Sequence, residues 1–462
     1  VDEQLHEDYG GKEWVTKAPL LKVMLKLGIP IAVGESLNLV YNLTDTFWLG
    51  RVGNEALAAI SASWPVVWLI ISAAEGILQA GISLVSQYWG ARDWENSMNA
   101  AGQVILAVFI VAGPLALAGF FLIPPLLSLL GVPAEVLPQA STYSQIISIG
   151  IIFMGLAEGT SAIFSAAGDT LTPLKIRALG NAINMVLDPL LILGYLSFPA
   201  MGVAGAAIAT IFSQAIAGGL ALLLLHRGVR GERLRLHNLK PRKWLLKKLL
   251  KVGAPLSILS LGEAGGFTLL VAIISMCGVD ALAAWGVGDR VTGLFHIFVS
   301  GLLGASATII GQSLGAGLKS RAKKAAVKAA AYGASIMAIG IGILIPFRYQ
   351  VIAFFAPNNP GVIEAGAQFI LIMGPSIIFF TLFLAAGAVA QGSGHTKPLM
   401  IMGLIRLWVI RNLFAFLLGP GPIGWGVTGL WLGMALSNVL MGLVALLWIM
   451  GGSWLEPVIT RE

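Results

Sequence analysis

The segment Tyr41-Asn-Leu-Thr-Asp-Thr-Phe-Trp48 sets a carboxylate, Asp45, inside an apolar stretch, 20–49, that is long enough to cross a bilayer. A charge near the middle of such a span costs about 2.5–3.5 kcal/mol even on lenient insertion scales. A neutral residue would be the default there, so the acid demands a reason. On a helix, Asn38, Tyr41, Asn42, Asp45 and Trp48 recur at three- and four-residue spacing and form one polar stripe. Asp45 is therefore the expected centre of function.

A second intramembrane acid follows in Asn184-Met-Val-Leu-Asp-Pro189. Asn184 and Asp188 are four apart and share a helix face. Pro189 removes a backbone donor beside them, as happens where backbone must help to line a cavity. Other acids within apolar runs are Glu35, Glu75, Glu158 and Glu263. Glu35 and Glu75 are expected either to attract a cationic compound or to pair with each other. Asp289-Arg290 reads as an internal pair or as two groups with separate partners, and Arg406 and Arg411 are expected to neutralise acids near them. Gly202, Ala206 and Thr210 at four-residue spacing also read as a close helix-packing face.

The elements that carry these residues follow from composition. Of 462 residues, 57% are hydrophobic and 11% charged, less than half the charge of an ordinary soluble domain. The chain is expected to be an all-α integral membrane protein, since its apolar runs are too long for the strands of a transmembrane barrel. Twelve spans are expected, at 20–49, 56–88, 96–122, 138–167, 172–197, 202–226, 246–275, 281–313, 321–347, 362–391, 396–419 and 425–451. Residues 227–251 carry ten Lys/Arg against one acid, Glu232. Taking that segment as cytoplasmic leaves only Arg51 and Arg348 among the loop cations outside, so both termini are expected in the cytoplasm of a cell-membrane protein. The basic segment reads as an anchor on anionic headgroups and not as a nucleic-acid site. One cysteine, Cys277, excludes a disulfide framework, and five scattered histidines make no metal cluster. Residues 1–19 are polar, so no cleavable leader is expected.

The chain repeats itself. Lys26-Leu-Gly-Ile-Pro30 recurs as Lys251-Val-Gly-Ala-Pro255, Gly53-Asn-Glu-Ala-Leu-Ala-Ala59 as Gly278-Val-Asp-Ala-Leu-Ala-Ala284, and Gln87-Tyr-Trp-Gly-Ala91 as Gln312-Ser-Leu-Gly-Ala316. Gly168-Asp-Thr170 answers Gly394-His-Thr396, and Gly202-Val-Ala-Gly205 answers Gly426-Val-Thr-Gly429. An even number of spans per repeat gives both halves one orientation. The expectation is two six-helix bundles, 20–226 and 246–451, related by a pseudo-twofold axis along the membrane normal, with a substrate site between the repeats. A segment 1–19, a basic linker 227–245 and a tail 452–462 complete the layout.

The duplicated layout, Tyr41-Asn-Leu-Thr-Asp45, Asn184-Met-Val-Leu-Asp-Pro189 and Gly168-Asp-Thr-Leu-Thr-Pro173 together resemble the multidrug and toxic compound extrusion (MATE) family, most of all its archaeal, DinF-like branch. The resemblance implies two bundles around a central cavity and export driven by a proton or sodium gradient. It groups Asp45, Asn184, Asp188 and Thr210, with the Ala206 carbonyl, as a cation-coupling network that would ligate Na⁺ if that is the ion. Two carboxylates in a dry bundle cannot both be ionised without a partner, so the pair can hold a proton; the same oxygens suit Na⁺. Tyr41, Asn42, Trp48, Glu158 and Glu263 are candidates for substrate binding; Glu263 also matches the seventh-span glutamate that the NorM-like branch uses in its carboxy-terminal cation site, whose matching tenth-span aspartate is missing here.

The expected function is secondary active efflux of amphipathic, often cationic, compounds in exchange for protons or Na⁺, by a monomer in contact with membrane lipid and with no other cofactor. The alternative is a flippase of lipid-linked oligosaccharides or lipid precursors, which would call for a cavity rich in Arg and Lys. No P-loop and no hydrolytic constellation occurs, so an enzyme is not expected.

Overall fold

The computed structural model describes residues 11–459; residues 1–10 and 460–462, at the ends of the amino-terminal segment and the tail, lie outside the described residues. Twelve long helices account for most of the chain. They are α1 (Leu20–Val52), α2 (Asn54–Gly90), α3 (Trp94–Leu129), α4 (Leu137–Ala166), α5 (Leu171–Ile192), α6 (Val203–Arg227), α7 (Lys243–Ser275), α8 (Val279–Gly315), α9 (Lys319–Leu344), α10 (Pro360–Ser393), α11 (Thr396–Leu418) and α12 (Gly426–Gly451). Eleven are long and apolar enough to cross a membrane. The exception is α5, which carries Lys175, Arg177 and Asp188 in 22 residues.

The repeat is written in the backbone as well as in the sequence. Helices α2 and α8 are both 37 residues long. Left-handed glycines recur in step, Gly168 (φ 84°) with Gly394 (φ 81°) and Gly202 (φ 54°) with Gly426 (φ 59°). At the first pair the chain reverses between two helices, a conformation that a Cβ would penalise. Asp169 then caps α5, its carboxylate accepting from the N–H groups of Leu171 (3.1 Å) and Thr172 (3.0 Å). The Gly-Asp-Thr motif is thus accounted for by turn geometry.

The chain forms two compact units. Among the described residues, one comprises 33–257 together with 11–19, and the other 20–32 with 258–459. In the first, α4 packs on α2, α3 and α6, and α5 on α6. The basic linker belongs to this unit and is docked, not loose. Gln103 of α3 donates to the carbonyls of Asn238 (3.1 Å) and Lys240 (3.0 Å), and Asn238 donates to Asn99 (2.7 Å). In the second unit, α10 packs on α8, α9 and α12, and α11 on α12.

Two helices differ instructively from the expected spans. The third span was expected to end at residue 122, just before Pro124-Pro125, yet α3 runs on to Leu129. Pro124 cannot donate to the carbonyl of Phe120, and Gln145 of α4 does so in its place (3.3 Å). In α11 the stretch Ile405–Arg411 is π-helical. Residues five apart on a regular helix stand about 140° apart, and the wider turn brings Arg406 and Arg411 toward one face, both buried.

Candidate functional site

Helices α1, α5 and α6 bring the predicted polar residues of the first unit together. Asp188, Asn184 and Ala206 are fully buried and Thr210 nearly so. The carboxyls of Asp45 and Asp188 lie close enough to interact directly with each other. With its amide nitrogen toward Asp188, Asn184 donates to Oδ2 (3.0 Å) while its oxygen accepts from the Thr210 N–H (3.3 Å). Tyr41 and Thr210 share a hydroxyl–hydroxyl hydrogen bond of 3.0 Å. Close packing of α5 and α6 makes this possible, because a Cβ on Gly205 would sit 2.4 Å from the carbonyl oxygen of Leu191. Two carboxyls meet here with no cation from the protein, since among the described residues no lysine or arginine forms an ion pair with either. Asp45 Oδ1 is buried and has no donor. Such an arrangement calls for a proton or a bound cation between the two acids.

Tyr41 also opens onto a cavity of about 390 Å³ within the same unit, whose walls include Asn42, Glu35, Glu75, Glu158 and Arg177. Glu35 and Glu75 do not form the pair that one expectation allowed. Arg177 Nη1 donates to Glu35 (2.8 Å), its Nη2 to Glu158 (3.3 Å), and Glu75 accepts from Gln79 (2.6 Å). Trp48 is not among the cavity's lining residues; it packs against the apolar cluster around Leu49 and Ala206, with Arg51 4.9 Å from its ring.

Glu263 belongs to the second unit, where it pairs with Arg406 (3.2 Å). Arg406 is fully buried and lies 4.7 Å from the ring centre of Phe380 and 4.9 Å from that of Phe383. Arg411 donates to Ser437 (3.0 Å) and to Asn438, and interacts electrostatically with Asp289. The expected neutralisation of acids by these arginines holds for Arg406 and Glu263, while Arg411 is held chiefly by neutral groups.

Several residues of the first unit's site escaped the sequence reading. Tyr143 of α4 is 4% exposed and feels both Asp45 and Asp188. Arg177, read from sequence as one more charge at the inner end of a span, is the hub of an ionic triad. Trp64 and Trp68 form an aromatic wall, and their four-residue spacing on one span was the signal available.

A chain with twelve long helices among its described residues, eleven of them apolar enough to span a bilayer, with a buried acid, Asp188, beside a second, Asp45, is a multi-pass membrane protein. A family model described as MatE matches it twice, over residues 30–190 and 255–417, one match per repeat. The chain belongs to the MatE family of membrane transporters. It is 30% identical to the FAD transporter of Shewanella oneidensis, over 92% of this chain and 93% of that protein. It is 27% identical to a probable multidrug resistance protein NorM of Thermotoga maritima, over 99% of this chain and 98% of that one. Among solved structures, a MATE protein in complex with MaL6 superposes with a TM-score of 0.88 at 24% identity, covering 96% of this chain and 99% of that one. A MOP-superfamily transporter from Pyrococcus furiosus gives 0.85 at 24% identity, covering 96% and 98%. These two carry the fold alone.

Proposed function

We propose that this protein is a secondary active exporter of amphipathic, cationic organic compounds, driven by exchange for a proton or a sodium ion. The observation that carries the reading is the closeness of Asp45 and Asp188, two interacting carboxyls inside a membrane-spanning unit, neither of them ion-paired with a lysine or arginine among the described residues. A transporter needs a site whose occupancy by a small cation changes its packing, and an acid pair that is stable only when loaded is such a site. The relatives named for multidrug resistance support the choice of cargo. So does the cavity, whose walls carry three carboxylates against one arginine and two tryptophans.

Asn184 is the residue whose orientation distinguishes the two ions. With a proton between the acids, its amide nitrogen donates to Asp188, as described above. With Na⁺ the amide turns over, and its oxygen joins those of Asp45, Asp188, Thr210 and the Ala206 carbonyl around the ion. Tyr41 links this network to the cavity, so loading at the acids and occupancy of the cavity act on one hydroxyl. The proposed setting is a cell membrane with both termini in the cytoplasm, supported by the charge asymmetry of the loops. The test is transport of a lipophilic cation in proteoliposomes under separately imposed proton and sodium gradients. Accumulation under neither gradient would refute the reading.

A further inference from the structure

The ionic triad in the cavity of the first unit has a consequence for what the cavity holds. Two carboxylates, Glu35 on α1 and Glu158 on α4, grip a single guanidinium from α5, and Arg177 Nη1 and Nη2 are each committed to one of them. Arginine stays charged at any working pH, so titration never vacates the position between the two acids. The triad is lopsided. Arg177 and Glu35 make the shorter contact, whereas the Glu158 side chain is 61% exposed and makes the longer one at 3.3 Å. Glu158 therefore presents an open carboxylate edge to the cavity, with room for one positive group.

The rest of the wall agrees with a single charge. Asn181 lies one turn beyond Arg177 on α5, is 7% exposed, and its Nδ2 has no hydrogen-bond partner. That buried donor suits a neutral acceptor on a ligand and repels a second cation. Opposite it, Trp64 and Trp68 stand with ring centres 6.3 Å apart and planes inclined by 31°, a surface for a flat aromatic body. Glu75 on the same helix accepts from Gln79, which engages one of its oxygens. A cavity of about 390 Å³ takes one drug-sized molecule.

We propose that Arg177 selects the charge of the compound held in this cavity, occupying as a tethered cation the position between Glu35 and Glu158 that the second positive group of a dication would take. The cavity then prefers aromatic monocations to dications of the same ring system. This rests on the cavity being the substrate chamber of the exporter proposed above.

Ethidium and propidium share one phenanthridinium ring and carry one and two positive charges, so their relative affinity reads valence directly. Dissociation constants are measured by fluorescence on the purified full-length chain in nanodiscs of neutral lipid. The wild type is expected to bind ethidium about tenfold more tightly than propidium, and Arg177→Gln to shift the ratio about tenfold or more toward propidium. Arg177→Lys keeps the wild-type order. The double change Glu35→Gln/Arg177→Gln, which leaves one acid and no stranded pair, restores it. An unchanged ratio in folded Arg177→Gln overturns the inference. So does a wild type that prefers propidium, a measurement that needs no variant to fold. Binding of neither dye to the wild type removes the substrate-chamber reading along with it, whereas binding with an unaltered ratio removes the role of Arg177 alone.

Discussion

Replacing Asp45 by Asn separates a coupling role from a structural one. The substitution keeps the size of the side chain and deletes the ionisable oxygen. Asp45 Oδ1 has no donor in the wild type, and its neighbour Asp188 is a second acceptor. An amide at position 45 can donate to Asp188, exchanging the unloaded pair's contact between two acceptors for a hydrogen bond worth about 1 kcal/mol. The thermal midpoint of Asp45→Asn should accordingly equal or exceed that of the wild type. Transport should behave differently. For exchange of one proton for one monovalent cation, each pH unit across the membrane supplies about 1.4 kcal/mol, which sustains about a tenfold concentration ratio of the exported compound. With voltage clamped to zero by potassium and valinomycin, wild-type proteoliposomes should reach that ratio for labelled tetraphenylphosphonium. A tenfold sodium gradient gives the same ceiling if Na⁺ is the ion. Asp45→Asn should still bind the compound but settle at a ratio of about one, because nothing then links ion movement to cargo. Asp188→Asn should do the same, and the double variant little worse than either, because the two carboxyls act as one unit. A folded Asp45→Asn that still maintains a tenfold gradient would refute the coupling role of this pair.

Other regions give independent tests. The hydrogen bond from Lys17, with support from Arg92, holds the Glu13 carboxyl below the usual carboxylate range. A lowered value means that this tie contributes stability above the unfolded carboxylate range and loses it as pH falls through the folded value. Protection against hydrogen exchange over residues 11–19, taken relative to the intrinsic rate at each pH, should therefore fall on going from about pH 7 to pH 3. A Cβ on Gly102 would lie 2.1 Å from the backbone oxygen of Asn238, so Gly102→Ala should cost about 1–3 kcal/mol and raise protease cutting in the 228–242 linker. Glu263→Gln strands Arg406, which is fully buried, whereas Arg406→Met leaves Glu263 with 35% of its side chain exposed. The first should lower the thermal midpoint more than the second; the reverse order would show that Glu263 does not compensate the arginine.

The fold was legible because bilayer physics is blunt. Apolar runs of this length in a membrane must be helices, because their backbone groups find partners nowhere else. Gly168 and Gly394 were read only as partners in the repeat; the left-handed backbone they share comes from the structure. The details that escaped reading depend on partners remote in sequence. Pro124-Pro125 reads as a stop until Gln145 supplies the missing donor. Arg177 reads as a topological charge until α1 and α4 bring Glu35 and Glu158 to it. Asp45 and Asp188 were singled out because a membrane acid is costly wherever its partner lies, and that cost is visible in one dimension. Tyr143 carries no such cost, and nothing in its spacing marks it as a neighbour of both acids.

The position of these acids along α1 bears on how loading could be felt elsewhere in the protein. Residues 20–32 of α1 belong to the second compact unit and the remainder, with Glu35, Tyr41 and Asp45, to the first. The changeover falls two residues after Pro30, where the helix lacks the hydrogen bond that an ordinary residue would donate to the carbonyl of Lys26. Helix α7 repeats the device, its changeover at 257–258 following Pro255. A helix is weakest in bending where a backbone bond is missing. A change in packing at Asp45 therefore acts on a rod already divided at Pro30, and the Arg177 triad grips that rod at Glu35, between the two points. Ion loading and cavity occupancy thus meet on the same helix, on the same side of the proline. Arg177→Gln removes a cavity charge and leaves both acids, so it should alter valence preference while leaving the ion dependence of transport in place, and Asp45→Asn, which leaves the triad intact, should do the converse.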